Sequence, residues 1–239
     1  KRKIVYDLII LCLGNKSTLY KGIDNNRSIV KDYKEMAVTC EVIHNLKIKN
    51  SSQYFLKEGP LAILPFDKKK FSLVWSLSKN FHKNVKDIKK LIRNKLEMIY
   101  ENKVKVKLST VQTFPIHLNL KTKYYKKRVL ILGEGIHAIH PIAGQGFNLI
   151  LRDINKLAKI INKNVSLGIA IKNSFALEDF YNSRSPENII FSLGINFTNS
   201  FFKENKYLEP IKKTILNEVG KNKNIKRITR AISDKGFSL

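Results

Sequence analysis

The chain opens with one long apolar run. Residues 4–14, IVYDLIILCLG, are almost all apolar, a pattern typical of a strand that is covered on both faces. With the basic residues before it, the run also resembles a signal peptide. However, no small-residue cleavage site follows it, and Gly14-Asn15-Lys16-Ser17 is typical of a turn. We therefore predict a buried strand here.

Alternating apolar and polar positions follow. Between Tyr33 and Ile43 every second residue is apolar, and the runs Leu61–Phe66 and Phe71–Leu77 flank a short polar turn, Asp67–Lys70. Such alternation predicts antiparallel strands with one face buried. The predicted buried face consists of Met36, Val38, Cys40, Val42, Phe71, Leu73, Trp75 and Leu77.

Helical spacing and further strands complete the pattern. Apolar residues recur every three or four positions over Val85–Tyr100 and again from about Phe147, which predicts two amphipathic helices. Between them, Val104–Leu118 has strand character that we expect to end at Pro115, and Arg128–Leu132 is typical of a buried strand. The remaining C-terminal residues are predicted to be mostly helical.

The order of these elements predicts an α/β (α+β) fold with an inserted domain. Residues 1–24 and 121–176 would form one domain, residues 25–120 the inserted antiparallel sheet, and residues 177–239 a set of C-terminal helices.

Charge and composition add little to this picture. The 239 residues suit one large domain or two small ones, and the hydrophobic share of 43% is typical of a globular protein. No apolar run approaches the length of about 18 residues that a membrane span requires.

The net charge of +26 comes from 45 basic residues, 37 of them Lys, against 19 acidic ones, with clusters at Lys121–Arg128 and Lys221–Arg230. A solvated basic surface, or contact with an anionic membrane surface, fits this distribution better than nucleic-acid binding does.

Two cysteines, Cys12 and Cys40, lie in apolar surroundings, so we expect both in the core. Their spacing gives neither a metal site nor a disulfide framework, which is typical of a reducing cytoplasm.

The candidate chemistry lies in residues 128–154, RVLILGEGIHAIHPIAGQGFNLILRDI. Gly133–Ala138 fits the glycine fingerprint of a dinucleotide-binding turn, which requires a helix to begin at the glycines. Here Pro141 and two further glycines delay the helix, and the acidic residue twenty positions on, Asp153, falls inside it. We therefore reject the dinucleotide interpretation of this turn.

A different ligand fits the glycines that directly precede the helix. Gly144 and Gly146 would bring bare backbone amides close to a bound group, and the helix dipole favours negative charge there by about 0.3–1 kcal/mol. The expected occupant is a group that becomes anionic during turnover, such as a reduced flavin with charge at N1 and the C2 carbonyl.

The stretch from Gly133 to Asp153 resembles the second FAD-binding motif of class A flavin monooxygenases. HPIAGQGFNL (residues 140–149) with Arg152 and Asp153 is similar, almost letter for letter, to the ubiquinone-biosynthesis hydroxylase branch of these FAD-dependent aromatic-ring monooxygenases. GPLAILP (residues 59–65) and SLVW (residues 72–75) resemble the substrate-domain hairpin of that branch.

This resemblance implies the C-terminal part of a p-hydroxybenzoate-hydroxylase-like FAD fold. Residues 1–24 and 121–176 would belong to the FAD-binding domain, and residues 25–120 would be the inserted substrate-binding sheet. The N-terminal glycine-fingerprint unit of the family has no counterpart in these residues, so we interpret the chain as part of a longer or split protein.

The resemblance also implies the cofactor-binding residues. Glu134 would hold the ribityl hydroxyls, Pro141–Gly146 would line the isoalloxazine ring, and the amides of Gly146, Phe147 and Asn148 would meet its N1/O2 edge. No catalytic residue is assigned, because the flavin performs the chemistry. The implied cofactor-binding set is Gly133, Glu134, His140, Pro141, Ala143, Gly144, Gln145, Gly146, Phe147 and Asn148.

Two positions depart from the family's other signature, A-D-G-x-x-S-x-x-R, which corresponds to residues 12–20. Leu13 replaces its Asp and Tyr20 replaces its Arg, so pyrophosphate and NAD(P)H contacts at these two positions are in question.

By resemblance, the activity would be FAD-dependent hydroxylation of the aromatic ring of a polyprenylated ubiquinone precursor, with NAD(P)H and O2. The alternatives are a related flavoprotein epoxidase or prenyl reductase, and a non-catalytic fragment that lacks the ADP-binding half of the FAD site. The implied partners are the polyprenylated substrate, a membrane surface and other ubiquinone-biosynthesis proteins, with no nucleic acid. The implied location is cytoplasmic, peripheral on the inner membrane.

Several side chains allow a structural as well as a functional role. Phe71 and Trp75 belong either to the hairpin core or, as the weaker alternative, to the substrate lining. His137 and His140 have metal-like spacing, but no third ligand lies nearby in the sequence, so we expect no metal. A structural role is expected for Arg152, Asp153, Tyr181 and Arg184.

Overall fold

The computed structural model describes residues 4–24, 28–101, 104–173 and 175–202, together with Arg227. Its strands and helices, in chain order, are β1 (Ile9–Leu11), α1 (Lys21–Asp24), β2 (Ser28–His44), β3 (Ser52–Leu56), β4 (Gly59–Asp67), β5 (Lys70–Ser78), α2 (Lys79–Asn84), α3 (Ile88–Ile99), β6 (Val106–Leu108), β7 (Gln112–Lys121), β8 (Tyr125–Lys126), β9 (Val129–Ile131), β10 (His137–Ala138), α4 (Gln145–Ser166) and α5 (Phe175–Phe202).

The chain divides into two compact units. Unit 1 comprises Lys1–Lys31 and Leu118–Leu239, and unit 2 comprises Asp32–His117. Unit 2 is one continuous segment that lies within the predicted inserted range, residues 25–120.

Unit 2 is built on an antiparallel sheet in which β2, β5, β4 and β3 lie side by side. The predicted hairpin is present, since β4 and β5 pair with Leu61 opposite Trp75. On its other side β5 pairs with β2, where Val38 also lies opposite Trp75. The strand β3 was not predicted from the sequence; it pairs with β4, with Tyr54 opposite Leu61.

The predicted apolar face of this sheet forms the core of unit 2. Val38, Phe71 and Trp75 are completely buried there, whereas Met36 is half-buried. Phe71 and Trp75 therefore have the core role that the sequence allowed, and neither has exposed surface within its unit that a substrate could contact.

Helix α3 covers this core with Ile92 and Leu96, both completely buried. The helix is shorter than predicted because Asp87 caps it, its carboxylate accepting the backbone N–H of Lys90 at 3.0 Å. Val85 lies outside α3. Its backbone N–H donates to the carbonyl of His82 and so ends helix α2.

The predicted end of a strand at Pro115 is wrong, because β7 continues through this residue to Lys121. Strand β10 pairs with β7 only at Asn119 and Leu120. At Pro115 this side of β7 therefore has no partner strand among the described residues, an arrangement in which strands tolerate proline.

Unit 1 contains a three-stranded sheet in the order β1-β9-β8, with β1 and β9 parallel. The prediction that residues 4–14 form one strand covered on both faces is wrong. Only Ile9–Leu11 is a strand, and Val5 is 79% exposed, because β1 is an edge strand whose partner among the described residues is β9 alone. Cys12 is likewise exposed, contrary to the prediction, whereas Cys40 is buried in unit 2.

Helices α4 and α5 pack against each other and supply much of the core of unit 1. Leu157 of α4 and Phe180 of α5 are buried together with Tyr20, Tyr124 and Leu130. Most of the predicted C-terminal helical region beyond α5, including most of the basic cluster Lys221–Arg230, lies outside the described residues. Among the described helices, none is both long enough and apolar enough to cross a membrane.

Candidate functional site

The chain turns sharply after β9, at the start of the predicted flavin motif. Residues Gly133–Gly135 form one turn of 3₁₀-helix, closed by the N–H of Ile136 on the carbonyl of Gly133 at 3.0 Å. Gly133 has a φ of +73°, which glycine adopts at little cost. The turn presents Glu134 to solvent and packs against α4, so the two halves of the motif lie together.

Gly135 is required for a different reason, close packing. A Cβ at this position would lie 2.5 Å from the hydroxyl oxygen of Tyr20 and 2.6 Å from Cγ2 of Ile131. The same Tyr20 hydroxyl accepts the backbone N–H of Leu13 at 3.0 Å. Tyr20 therefore packs against the flavin motif at Gly135, and a hydrogen bond joins it to the backbone of Leu13; these are the two residues that replace the family's Arg and Asp.

Between β10 and α4 the chain forms a second tight turn. His140 is completely buried, and its Nδ1 accepts the N–H of Ile142 at 3.0 Å, so its side chain shapes the turn. Residues Ile142–Gly144 make one 3₁₀ turn, and Gly144 adopts a left-handed φ of +62° as the N-cap of α4. The helix starts at Gln145, two residues earlier than the predicted start at Phe147.

The first turn of α4 offers a bare stretch of backbone. The amides of Gly146 and Phe147 lie in this turn, whereas the amide of Asn148 comes four residues after the N-cap and can pair with the carbonyl of Gly144 inside the helix. A Cβ on Gly146 would meet only Cγ1 of Ile139, at 3.8 Å. No acidic residue lies in this turn.

These groups fit the flavin edge that the sequence implied. Amide donors, a helix dipole and the lack of a nearby carboxylate favour a ligand edge that accepts hydrogen bonds and gains negative charge. The Phe147 side chain beside these amides is 67% exposed. The side-chain amide of Asn148 donates from Nδ2 to Oε1 of Gln145 at 3.4 Å.

A buried carboxylate anchors this helix. Asp153 has no exposed surface, and its Oδ2 lies 2.7 Å from Nε2 of His137 on β10. Its Oδ1 accepts from Nε of Arg184 at 2.6 Å and from Nδ2 of Asn188 at 3.3 Å, both on α5. Asp153 and Arg184 therefore have the structural role that was expected of them. His137, which had metal-like spacing in the sequence, has the Asp153 carboxylate as its partner.

The network extends beyond Asp153. Arg184 also contacts Glu187 and donates to Oδ1 of Asn188 at 3.0 Å, while Asn188 reaches the hydroxyl of Tyr124 at 3.4 Å. Burial raises the pKa of Tyr124 to about 12, so this hydroxyl stays protonated. Among the described residues, no three His, Cys, Asp or Glu side chains cluster closely enough to hold a metal ion.

Arg152 makes a second connection between α4 and α5. Its guanidinium lies 4.3 Å from the ring centroid of Phe191, and its Nε donates to the carbonyl of Asn148 at 3.3 Å. Burial, together with repulsion from Arg184, lowers the pKa of Arg152. Arg152 and Asp153, two adjacent residues of α4, thus both contact α5.

Sequence comparison identifies the family to which the chain is similar. The sequence profile of the family described as FAD binding domain matches residues 3–167. The chain is 26% identical to the ubiquinone biosynthesis monooxygenase COQ6 of Dictyostelium discoideum, over 91% of this chain and 54% of the relative. It is 27% identical to the 3-demethoxyubiquinol 3-hydroxylase of Escherichia coli, over 71% of this chain and 43% of the relative. The chain thus spans about half the length of the curated relatives it matches.

Solved structures show the same fold. The p-nitrophenol 4-monooxygenase PnpA of Pseudomonas putida DLL-E4 superposes with a TM-score of 0.76 at 14% identity, over 97% of this chain and 60% of PnpA. PqsL of Pseudomonas aeruginosa, a probable FAD-dependent monooxygenase, gives a TM-score of 0.67 at 18% identity, over 83% of this chain and 57% of PqsL. The predicted p-hydroxybenzoate-hydroxylase-like fold is confirmed.

Proposed function

This chain belongs to the class A flavin monooxygenase family through its FAD-binding domain, and on that premise we propose that it forms part of a ubiquinone-precursor hydroxylase. The reaction would insert one oxygen atom of O2 into a C–H bond of the aromatic ring of a polyprenylated substrate, and two electrons from NAD(P)H would reduce the other oxygen atom to water. The activities named for the COQ6 and 3-demethoxyubiquinol 3-hydroxylase relatives support this choice.

The observation that carries the proposal is the start of α4. Gly144, in a left-handed conformation, begins a helix whose first-turn amides, at Gly146 and Phe147, meet no acidic side chain. These amides would donate to the N1/O2 edge of the isoalloxazine ring, and Glu134 would accept from the ribityl hydroxyls. A bound flavin would supply the redox chemistry, namely electron uptake from NAD(P)H and oxygen transfer.

The remaining residues of the predicted set would shape and close this site. Pro141, Ala143 and Gln145 belong to the turn and helix start on which the ring would lie, and buried His140 holds that turn. The site would keep water away from the reacting part of the flavin ring. Excluding water protects the oxygen-transfer step from side reactions.

The substrate's prenyl chain would partition into a membrane, so the protein would work at the inner-membrane surface. Excess positive charge on the chain favours contact with anionic lipid there. Other ubiquinone-biosynthesis proteins would be its partners at that surface.

The test uses the full-length protein that contains this chain. We expect a purified yellow protein with flavin absorbance, NAD(P)H oxidation that depends on a polyprenylated phenol, and a product heavier by one oxygen atom. An epoxide, or a product that has gained two hydrogens, would reassign the reaction. A protein that lacks both flavin and substrate-dependent NAD(P)H oxidation would overturn the proposal.

A further inference from the structure

We propose that unit 1 carries a second binding site, for a phosphate-bearing anion, at the turn between β8 and β9. A pocket of about 420 Å³ opens there, lined by Lys127, Arg128, Lys172, Asn173 and Phe175. Three of the five lining residues are cationic and none is acidic.

The pocket is distinct from the flavin motif. Lys127 and Arg128 precede β9, whereas Gly133 and Glu134 follow it. Arg128 and Gly133 are five residues apart along extended chain, a span of about 16 Å. The turn and the flavin motif therefore lie at opposite ends of the same strand, and an occupant of this pocket is a separate ligand.

The three cationic side chains have no counter-charge of their own. Lys127, Arg128 and Lys172 are exposed, and none of these side chains makes a salt bridge or hydrogen bond within the part of the chain that the structure describes. The neighbouring Lys126, by contrast, donates from Nζ to the carbonyl of Gly22 at 2.9 Å. Like charges that converge on one pocket repel each other, and a bound anion relieves that repulsion.

The backbone of the turn gives a way to test the lysine separately from the rest of the pocket. Lys126 pairs with Val129, so Lys127 and Arg128 form a two-residue hairpin connection. Lys127, its first residue, has a φ of +53°, in the region that such turns normally fill with glycine. A lysine in this conformation costs free energy that glycine would not, as do Lys34 and Glu101 with φ values of +54° and +52°.

The side chains indicate the chemical class of the ligand. An arginine fork can bind two phosphate oxygens at once, and lysines add point charges around it. Phe175, 63% exposed, lies at the same pocket and suits an apolar group attached to the phosphate. A phosphate ester is therefore the expected ligand, either as the headgroup of an anionic phospholipid or as a soluble molecule.

The test measures binding of the 239-residue chain to two probes. Isothermal titration with glycerol phosphate examines the soluble source, and sedimentation with phosphatidylcholine vesicles, with and without phosphatidylglycerol, examines the lipid source. Arg128→Gln and Lys172→Gln are each expected to weaken binding about fivefold, the contribution typical of one cation beside an anionic group. Lys123→Gln is the matched control, because Lys123 is exposed in the same segment but does not line the pocket.

Lys127→Gly gives the sharpest variant. It removes one cation and also the strained φ, so binding should weaken about fivefold while the melting temperature rises. Glycerol phosphate binding with this dependence assigns a soluble ligand, and vesicle binding alone assigns the lipid headgroup. The proposal is overturned if neither probe binds, if Lys127→Gly binds as the parent does, or if Lys123→Gln loses as much affinity as Arg128→Gln.

Discussion

The Nε2 of His137 lies 2.7 Å from Oδ2 of Asp153, and neither side chain has exposed surface. His137 belongs to β10 and Asp153 to α4, so the pair ties the helix that begins at the flavin motif to the strand before it. Because Oδ1 of the same carboxylate accepts from Arg184 of α5, one side chain joins three elements of unit 1. The orientation of the α4 start depends on this carboxylate.

Replacing Asp153 with alanine should therefore destabilise unit 1 strongly. The change removes one carboxylate from buried Arg184, which keeps its contacts with Glu187 and Asn188, so the loss should lie below the cost of about 3–5 kcal/mol for a buried pair that is fully broken. Urea unfolding followed by far-UV circular dichroism measures the loss. Asp179→Ala, an exposed site on α5, is the control and should stay within about 0.5 kcal/mol. A loss below about 1 kcal/mol for Asp153→Ala would contradict the anchoring role.

Gly135→Ala should also destabilise the protein, through overpacking. The new methyl group would lie 2.5 Å from the Tyr20 hydroxyl oxygen, in a buried position that can relax little. Insertions of this kind cost about 1–3 kcal/mol. Gly194→Ala is the matched control: this helical glycine of α5 has open space, so alanine there should stabilise by about 0.5–1 kcal/mol. Thermal melting of both variants checks the opposite signs.

Gly146→Ala separates folding from flavin binding. A Cβ here makes only an ordinary contact with Ile139, and alanine favours the helix by about 0.5–1 kcal/mol, so the melting temperature should not fall. If the flavin approaches the bare backbone of this turn, the methyl group will weaken FAD binding at least severalfold. Flavin content and fluorescence titration in the full-length protein measure the affinity. Unchanged FAD affinity would remove Gly146 from the site.

The two cysteines should differ in reactivity. Cys12 is exposed, whereas burial raises the pKa of the Cys40 thiol to about 11 from its ordinary 9.0. A thiol reagent at pH 8 should therefore label one cysteine in the native protein and two in urea, with mass spectrometry locating the modified residue. Rapid native labelling of Cys40 would show that the core of unit 2 opens readily.

The same pKa shift predicts how stability depends on alkaline pH. The pKa of Cys40 is higher in the folded than in the unfolded protein, so the unfolded state loses the thiol proton first as the pH rises. The contribution of Cys40 to the free energy of unfolding is therefore complete below pH 9 and is lost as the pH rises through about 11. Cys40→Ala should show a shallower decline of the unfolding midpoint between these pH values than the parent does. If the unfolding midpoint of Cys40→Ala falls with the same slope as that of the parent, then groups other than Cys40 determine the pH dependence of stability in this range.

Much of the fold could be predicted because the relevant signals are local. The β4–β5 hairpin follows from alternation over neighbouring residues, and the glycines between Gly133 and Gly146 mark both tight turns. The error at residues 4–14 has a physical cause, since an apolar run reports a tendency to be buried but not which neighbours supply the burial. Cys12 was misplaced for the same reason.

The Asp153 network could be predicted only in part. A structural role for Asp153 follows from its place inside the helix, but its partners His137 and Arg184 are 16 and 31 positions away, beyond any local pattern. One signal was available in α5. Arg184, Asn188 and Ser192 recur every four residues as a polar stripe, and all three are buried. A buried polar stripe on a helix indicates partners elsewhere in the chain.

The anchoring of Asp153 also bears on where the FAD-binding region ends. The profile of that family stops at residue 167, yet Arg184 and Asn188, which hold the carboxylate, lie past it in α5. A polypeptide cut at residue 167 would keep every residue of the flavin motif and lose both of these donors, and of the three partners of Asp153 named above only His137 would remain. The residues that match the FAD-binding family therefore do not include all those that hold Asp153 in place, and moving the motif into another protein would require moving α5 as well.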